Sequence, residues 1–298
     1  MRARSLFVAP LAALTAFLAS GGALAQDAGS PAPASAPDKS GFTVFNPTPV
    51  ADLRPLCTDR PTKSTGPCTV DAGHFQVESD LFNVTIDTAG PTSIDTYLIT
   101  NPTLKLGLTN SIDVEASISP YEIVTVRDHA TGLRTSHGGV GDLYLRVKWN
   151  LLGDDSGNLA IAIVPYIKAP TADHIIGNGA LEGGVIVPVS INLPKGWSLV
   201  VDPEVDDLRN ADDNGRHANT SGLVSFSHAV SKEVTASVEL WSDVNLDPTG
   251  TVTQASFDLG LAWIPSKIPT FQLDGGVNLG LDRSTPAAQL YVGASKRF

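Results

Sequence analysis

The sequence predicts an all-β chain, an antiparallel up-and-down transmembrane β-barrel of about 12 strands. Three observations carry that expectation. Two-residue alternation of apolar and polar side chains runs from residue 73 to residue 298. The links between alternating runs are short and long in turn, and aromatic residues on the apolar face gather at one end of the runs.

The chain opens with Arg2 and Arg4, an uncharged, mostly apolar run from Leu6 to Ala19, and Ala23-Leu24-Ala25 before Gln26. Residues 1–25 read as a cleavable secretory signal peptide, because the apolar run is shorter than the roughly 20 residues that a spanning helix needs. No other stretch approaches 18 consecutive apolar residues, so any crossing of a membrane must use strands.

Residues 26–41, QDAGSPAPASAPDKSG, are dominated by Ala, Pro, Ser and Gly and read as a disordered linker. From 42 to 72 the chain is broken by Pro47, Pro49, Pro55, Pro61 and Pro67, which argues against strand pairing. This stretch reads as an N-terminal periplasmic segment, a possible disulfide loop or plug. Cys57 and Cys68, the only cysteines, enclose Thr58 to Pro67 in an exported chain, which points to a disulfide.

The barrel is expected over 73–298. In the first run Phe75, Val77 and Leu81 alternate with His74, Gln76, Glu78 and Asp80. Further strands read near 96–108, 112–119, 142–151, 159–168, 181–193, 197–205, 220–230, 233–241, 253–263, 271–282 and 288–298. Short turns fall at Thr109-Asn110, Gly153 to Asn158, Pro194-Lys195-Gly196, Ser231-Lys232 and Pro265 to Pro269. Longer polar links run from Tyr121 to Gly139, Ala169 to Ala180, Asp206 to Asn219 and Asn245 to Gly250. Such barrels have short periplasmic turns and longer external loops, so this order predicts the cell outer membrane with both termini periplasmic.

That orientation places Phe75, Trp149, Trp197, Trp263, Phe271 and Phe298 at periplasmic strand ends on the apolar face. A membrane girdle explains the placement, since amphipathic rings favour headgroup depth; a soluble sandwich gives no reason for it. The opposite face carries Glu78, Asp80, Asp113, Glu115, Asp142, Glu182, Asp202, Glu204, Glu239, Asp258, Asp274 and Asp282, with Lys105, Arg146, Lys148, Lys168 and Arg297 as basic partners. These are the candidate lumen-lining residues. The acidic balance, 31 Asp and Glu against 20 Lys and Arg, argues against nucleic acid as a partner.

Phe45-Asn46-Pro47-Thr48-Pro49, Thr58-Asp59-Arg60-Pro61-Thr62-Lys63 and Thr69-Val70-Asp71-Ala72-Gly73-His74-Phe75-Gln76-Val77-Glu78 resemble the opening segment of a transporter-like family, the putative MetA pathway of phenol degradation. Gly139-Val140-Gly141-Asp142-Leu143, Ala180-Leu181-Glu182-Gly183-Gly184-Val185 with Pro188, and Val292-Gly293-Ala294-Ser295-Lys296-Arg297-Phe298 are similar to later parts of it. The resemblance implies an outer-membrane barrel acting as a transporter of unassigned substrate, with no catalytic or substrate-binding residues to carry over. Phe298 also resembles the C-terminal signal read by the barrel assembly machinery, although Lys296 stands where that signal has an apolar residue.

Six histidines, His74, His129, His137, His174, His217 and His228, form no HxxxH or HExxH pair. His129, His137, His174 and His217 fall in expected external loops, where solvation accounts for them. His228 lies near Ser225 and Ser227, the basis for considering a lipid-modifying enzyme, but neighbouring strand residues point apart. Glycine-rich stretches such as Gly138-Gly139-Val140-Gly141 precede no helix, and Asp212-Asp213-Asn214-Gly215 lacks the rest of a calcium loop. The sequence therefore predicts no catalytic residues, metal or cofactor, with outer-membrane lipids and a small solute as partners. A channel with a net-acidic lumen is the leading expectation; a plugged or structural barrel without conductance is the second.

Overall fold

The structure, a computed structural model, describes residues 38–88 and 90–298. The expected signal peptide and residues 26–37 of the expected linker lie outside the described residues. Twelve strands follow one another: β1 (Phe75–Asp87), β2 (Thr92–Leu98 and Asn101–Gly107), β3 (Ile112–Ser117 and Glu122–Asp128), β4 (Arg134–Gly139 and Leu143–Leu152), β5 (Leu159–Ala169), β6 (Glu182–Ile186 and Val189–Leu193), β7 (Trp197–Arg209), β8 (Arg216–Ala229), β9 (Val234–Asn245), β10 (Val252–Trp263), β11 (Phe271–Gly280) and β12 (Ala288–Arg297). Each pairs antiparallel with the next. The last closes on the first, from Gln76↔Arg297 to Ile86↔Ala288. Closure leaves the ring itself no unpaired edge, the condition for a sheet to stand in hydrocarbon.

Alternation along the strands sorts side chains to the two faces of this ring. Leu104, Leu145, Val147, Leu240, Leu261 and Leu290 are exposed outside, whereas Gln76, Glu78, Lys105, Asp113, Lys148 and Asp258 are buried inside. A polar interior wrapped in an apolar exterior suits lipid and defeats a soluble sandwich, whose inner faces form an apolar core.

The strands are longer than the alternation alone indicated. Tyr121 to Gly139, read as an external loop, is instead largely a hairpin: Glu122–Asp128 pairs with Arg134–Gly139 around Gly132, whose φ is +71°. Ile123, Val124, Thr125 and Val126 supply the β-branched side chains that favour strand there. Thr92–Leu98 adds on the other side, so β2, β3 and β4 rise together as a ribbon beyond their neighbours. Similarly, β7 runs on to Arg209 and β8 begins at Arg216, turning most of the expected 206–219 loop into ladder.

Candidate functional site

Residues 38–72 do not stand apart from the barrel; much of this segment lies within the ring. Gly73, at φ +75° and with Pro47 against its Cα, turns the chain from the segment into β1. Cys57 and Cys68 are joined as a disulfide. The loop they close presents side chains and backbone to the inner faces of β1, β2, β4, β7 and β9–β12.

Three residues of that loop carry most of the charge. The Asp59 carboxylate accepts from the ammonium groups of Lys105 on β2 and Lys148 on β4, the latter at 2.9 Å. Arg60 reaches the other way, to Asp80 on β1 at 2.6 Å and Asp274 on β11 at 2.8 Å. Lys63 pairs with Asp258 on β10 at 3.1 Å and donates to Ser256. Backbone groups add to this set. The amides of Asp59, Lys63 and Thr65 donate to Glu78, Glu239 and Asp202 respectively, and the carbonyls of Cys57 and Pro67 accept from Gln76 and Asn150. Burying charge is tolerable only with such partners at hand.

Nearer the short-turn rim a second set anchors the stem of the segment. Arg54 pairs with Asp71 at 2.9 Å and with Asp154 in the β4–β5 turn. Arg297 donates to the Arg54 carbonyl and also meets Asp71. Desolvation alone would lower the Arg54 pKa, but Asp154, Asp71 and Asp155 together hold it raised, so the guanidinium stays charged. Two wall glycines let the segment approach. A Cβ on Gly260 would lie 2.8 Å from Pro61 Cγ, and one on Gly293 would collide with the Arg60 guanidinium.

Each sequence-derived candidate now has a place. Glu78, Asp80, Lys105, Asp113, Glu115, Lys148, Asp202, Glu239, Asp258, Asp274 and Arg297 are buried inside the ring. Lys105, Glu115, Arg146, Asp113 and Lys148 alternate in sign along directly opposed cross-strand pairs, the favourable arrangement. Farther toward the long loops, Lys168 pairs with Glu182 at 2.6 Å and Asp142 at 3.5 Å. Glu204 accepts from Ser221. Asp282 stands apart: β11 ends at Gly280, and Asp282 sits in the following loop, exposed and accepting from Ser284 and Thr285. Between the loop of the segment and the wall lies a polar cavity of about 180 Å³, bordered by Arg60, Lys63, Glu78, Lys105 and Arg146.

Arg54, Asp59, Arg60, Lys63, Asp71, Asp154 and Trp241, whose ring lies 4.4 Å from the Lys63 ammonium, have roles here and were absent from the candidate set. A charge ledger of the inward face could have found the three cations among them. Inward acids outnumber inward bases on the strands, so buried carboxylates demand cations from elsewhere, and Arg54, Arg60 and Lys63 are the cations of the proline-broken stretch. Trp241 shares the parity of Glu239, which marks it as inward, unlike Trp149, Trp197 and Trp263.

Those three tryptophans, with Phe75, Phe271 and Phe298, all lie at the short-turn end of the ring, as their registers show: Ile112 opposes Trp149, Leu193 opposes Trp197, Val234 opposes Trp263 and Lys296 opposes Phe271. The Phe298 amide donates to the Phe75 carbonyl at 2.8 Å, and their rings stand 6.1 Å apart. Lys296 turns its ammonium to Thr270 Oγ1 at 2.6 Å, off the hydrocarbon.

His228 stacks on Trp197 at 4.6 Å and meets the Gly196 carbonyl, while Ser227 is bonded to Ser198 and Ser225 is buried inside. No nucleophile and base meet there. His217, expected in a solvated loop, is instead buried on β8 against Asn210 at 2.9 Å. Among the described residues no cluster of His, Cys, Asp or Glu is arranged to hold a metal ion.

The sequence model of the family described as "Putative MetA-pathway of phenol degradation" matches residues 58–298. The chain belongs to this family. For this MetA-pathway family member, the crystal structure of an outer-membrane channel from Pseudomonas putida F1 superposes with a TM-score of 0.63 at 13% identity, over 80% of this chain and all of that one, a likeness of fold. More distant are the β domain of the Bordetella autotransporter BrkA, with a TM-score of 0.45 at 13% identity over 76% of this chain and 99% of that one, and the CymD monoaromatic hydrocarbon channel, with 0.43 at 8% over 75% and 88%. No protein of curated function matches the family member in sequence.

Proposed function

We propose that this outer-membrane barrel is a channel for small solutes whose pathway is controlled by its own N-terminal segment, residues 42–72. The observation that carries the reading is the loop closed by Cys57 and Cys68, which holds partners on opposite sides of the ring: Lys105 and Lys148 on one, Asp258 and Asp274 on the other. The wall residues beyond it, Lys168, Glu182, Glu204 and Asp142, line the approach. In this reading the short-turn rim with its six aromatics faces the periplasm, both termini are periplasmic, and outer-membrane lipids and the assembly machinery are the macromolecular partners.

The same ion pairs favour a second reading, a permanently plugged structural barrel. Planar-bilayer recording separates the two. The channel reading expects small or rare conductance steps from the full chain and large, frequent ones after deletion of residues 26–72. Silence from both proteins, together with no solute flux in liposomes, would leave the structural barrel standing.

A further inference from the structure

Lys63 occupies a seat built with more acceptors than one lysine needs. Its ammonium lies 4.4 Å from the centre of the Trp241 ring, pairs with Asp258 at 3.1 Å and donates to Ser256. Glu239 and Asp258 are directly opposed across β9 and β10, and Trp241 and Ser256 are opposed one inward row above them. Like charges in direct opposition repel, so a cation between the rows relieves a cost that the wall imposes by itself. Glu239 is 1% exposed and Asp258 fully buried, and Glu239 Oε2 and Asp258 Oδ1 have no hydrogen-bond partner among the described residues. Asp202, on β7, likewise keeps Oδ1 unpartnered while its other oxygen takes the Thr65 amide.

Arg60 repeats the arrangement a few residues earlier in the loop. Its guanidinium lies 5.9 Å from the Tyr291 ring and pairs with Asp80 and Asp274. In both places the segment lays a cation on an aromatic face beside buried carboxylates, the chemistry by which proteins recognise organic ammonium groups.

We propose that the Trp241, Asp258, Glu239 and Ser256 seat is a binding site for small organic cations bearing a primary ammonium group, and that Lys63 is its tethered competitor. Withdrawal of the loop would free the seat for a solute amine of the same chemistry. The proposal deepens the channel reading by naming its solute class, and rests on it only for access to the seat; binding can be measured without conductance.

The test uses the full-length chain folded in detergent, with heat-modifiable electrophoretic mobility as the check of folding. Calorimetric titration with n-butylammonium is compared for the parent, Lys63→Ala and Lys63→Ser, and for Lys63→Ala combined with Asp258→Asn or Trp241→Leu. A tethered group competes at a local concentration of about millimolar, so Lys63→Ala and Lys63→Ser are expected to bind at least about tenfold more tightly than the parent. Asp258→Asn should reverse that gain, and Trp241→Leu should weaken binding by about tenfold. Folded Lys63→Ala and Lys63→Ser proteins that fail to bind the amine would overturn the proposal. Equal binding of n-butanol or butyrate would also overturn it, by showing an unselective apolar pocket. Ammonium-selective binding in a barrel that never conducts would uphold the site and sink the channel reading. Conductance without amine binding would do the reverse.

Discussion

The two halves of the barrel interior are made of similar residues and work differently. Toward the short turns, acids on β1, β9, β10 and β11 face Arg60 and Lys63, so their charge anchors a segment of the same chain. Toward the long loops, Glu204, Asp206 and Asp243 are bonded mainly to neutral wall groups, with Tyr166 and Asn219 donating to Asp206, Asn219 to Asp243 and Ser221 to Glu204. A row of inward carboxylates therefore has no single meaning in a barrel. Where a cation from another element is buried against it, the row is a structural joint; where neutral groups of the wall serve it, the row belongs to the wall alone.

The comparison breaks most directly at Arg60. Arg60→Ala leaves Asp80 and Asp274 buried without the cation that pairs with both, and removing one side of such a joint costs about 3–5 kcal/mol. The expected result is a clear fall in the midpoint of the heat-modifiable gel shift. An unchanged midpoint would mean that the segment is not an anchored part of the fold. Next in size is Gly260→Val, which pushes side-chain atoms into Pro61. Overpacking of this kind costs about 1–3 kcal/mol, and here displacement of the segment relieves it, so bilayer conductance should rise while the barrel still folds. Glu204→Gln probes the other half, where the change should stay within about 0.5 kcal/mol and show only as reduced cation preference in reversal-potential measurements. A large destabilisation there would erase the distinction between the halves.

The smallest effect is expected at Glu233, in the exposed turn between β8 and β9. Hydrogen bonds from the Ser266 hydroxyl and amide, and then from the Trp263 indole, hold its carboxyl below the ordinary glutamate value. A depressed folded-state pKa contributes stability that is present above the ordinary value and lost as pH falls through the folded one. Glu233→Gln should accordingly flatten the acid limb of a stability–pH curve, lowering the curve slightly near neutrality and meeting the parent at the acid end.

Strand number, turn order and the facing of the aromatics were legible because a barrel wall is periodic, and period is a local property of sequence. Phe271 and Asp274 announce their faces from their immediate neighbours. The family resemblance, too, was visible in short blocks of residues. The route of residues 54–69 was not legible in the same way, since its contacts join residues such as Arg60 and Asp274 that lie far apart in the chain and obey no period. Proline-rich composition correctly ruled out strands but could not say whether the segment lay inside or outside the ring. The rising β2–β4 ribbon was missed for a different reason. Arg134 to Gly139 alternates no apolar residues because both of its faces are wet, and a strand without unlike faces leaves no signature.

The position of Arg60 bears on how such a barrel can be made. Its two carboxylates belong to β1 and β11, which flank β12, the strand that closes the ring against β1. Arg297 on β12 in turn holds the Arg54 carbonyl. The segment thus spans the seam from within, like a suture across closed edges. It is synthesised before any strand, whereas its β11 and β12 partners come last. Its contacts with β11 and β12 can therefore form only after the final hairpin has arrived, so the segment completes its anchorage no earlier than the ring has its last strands.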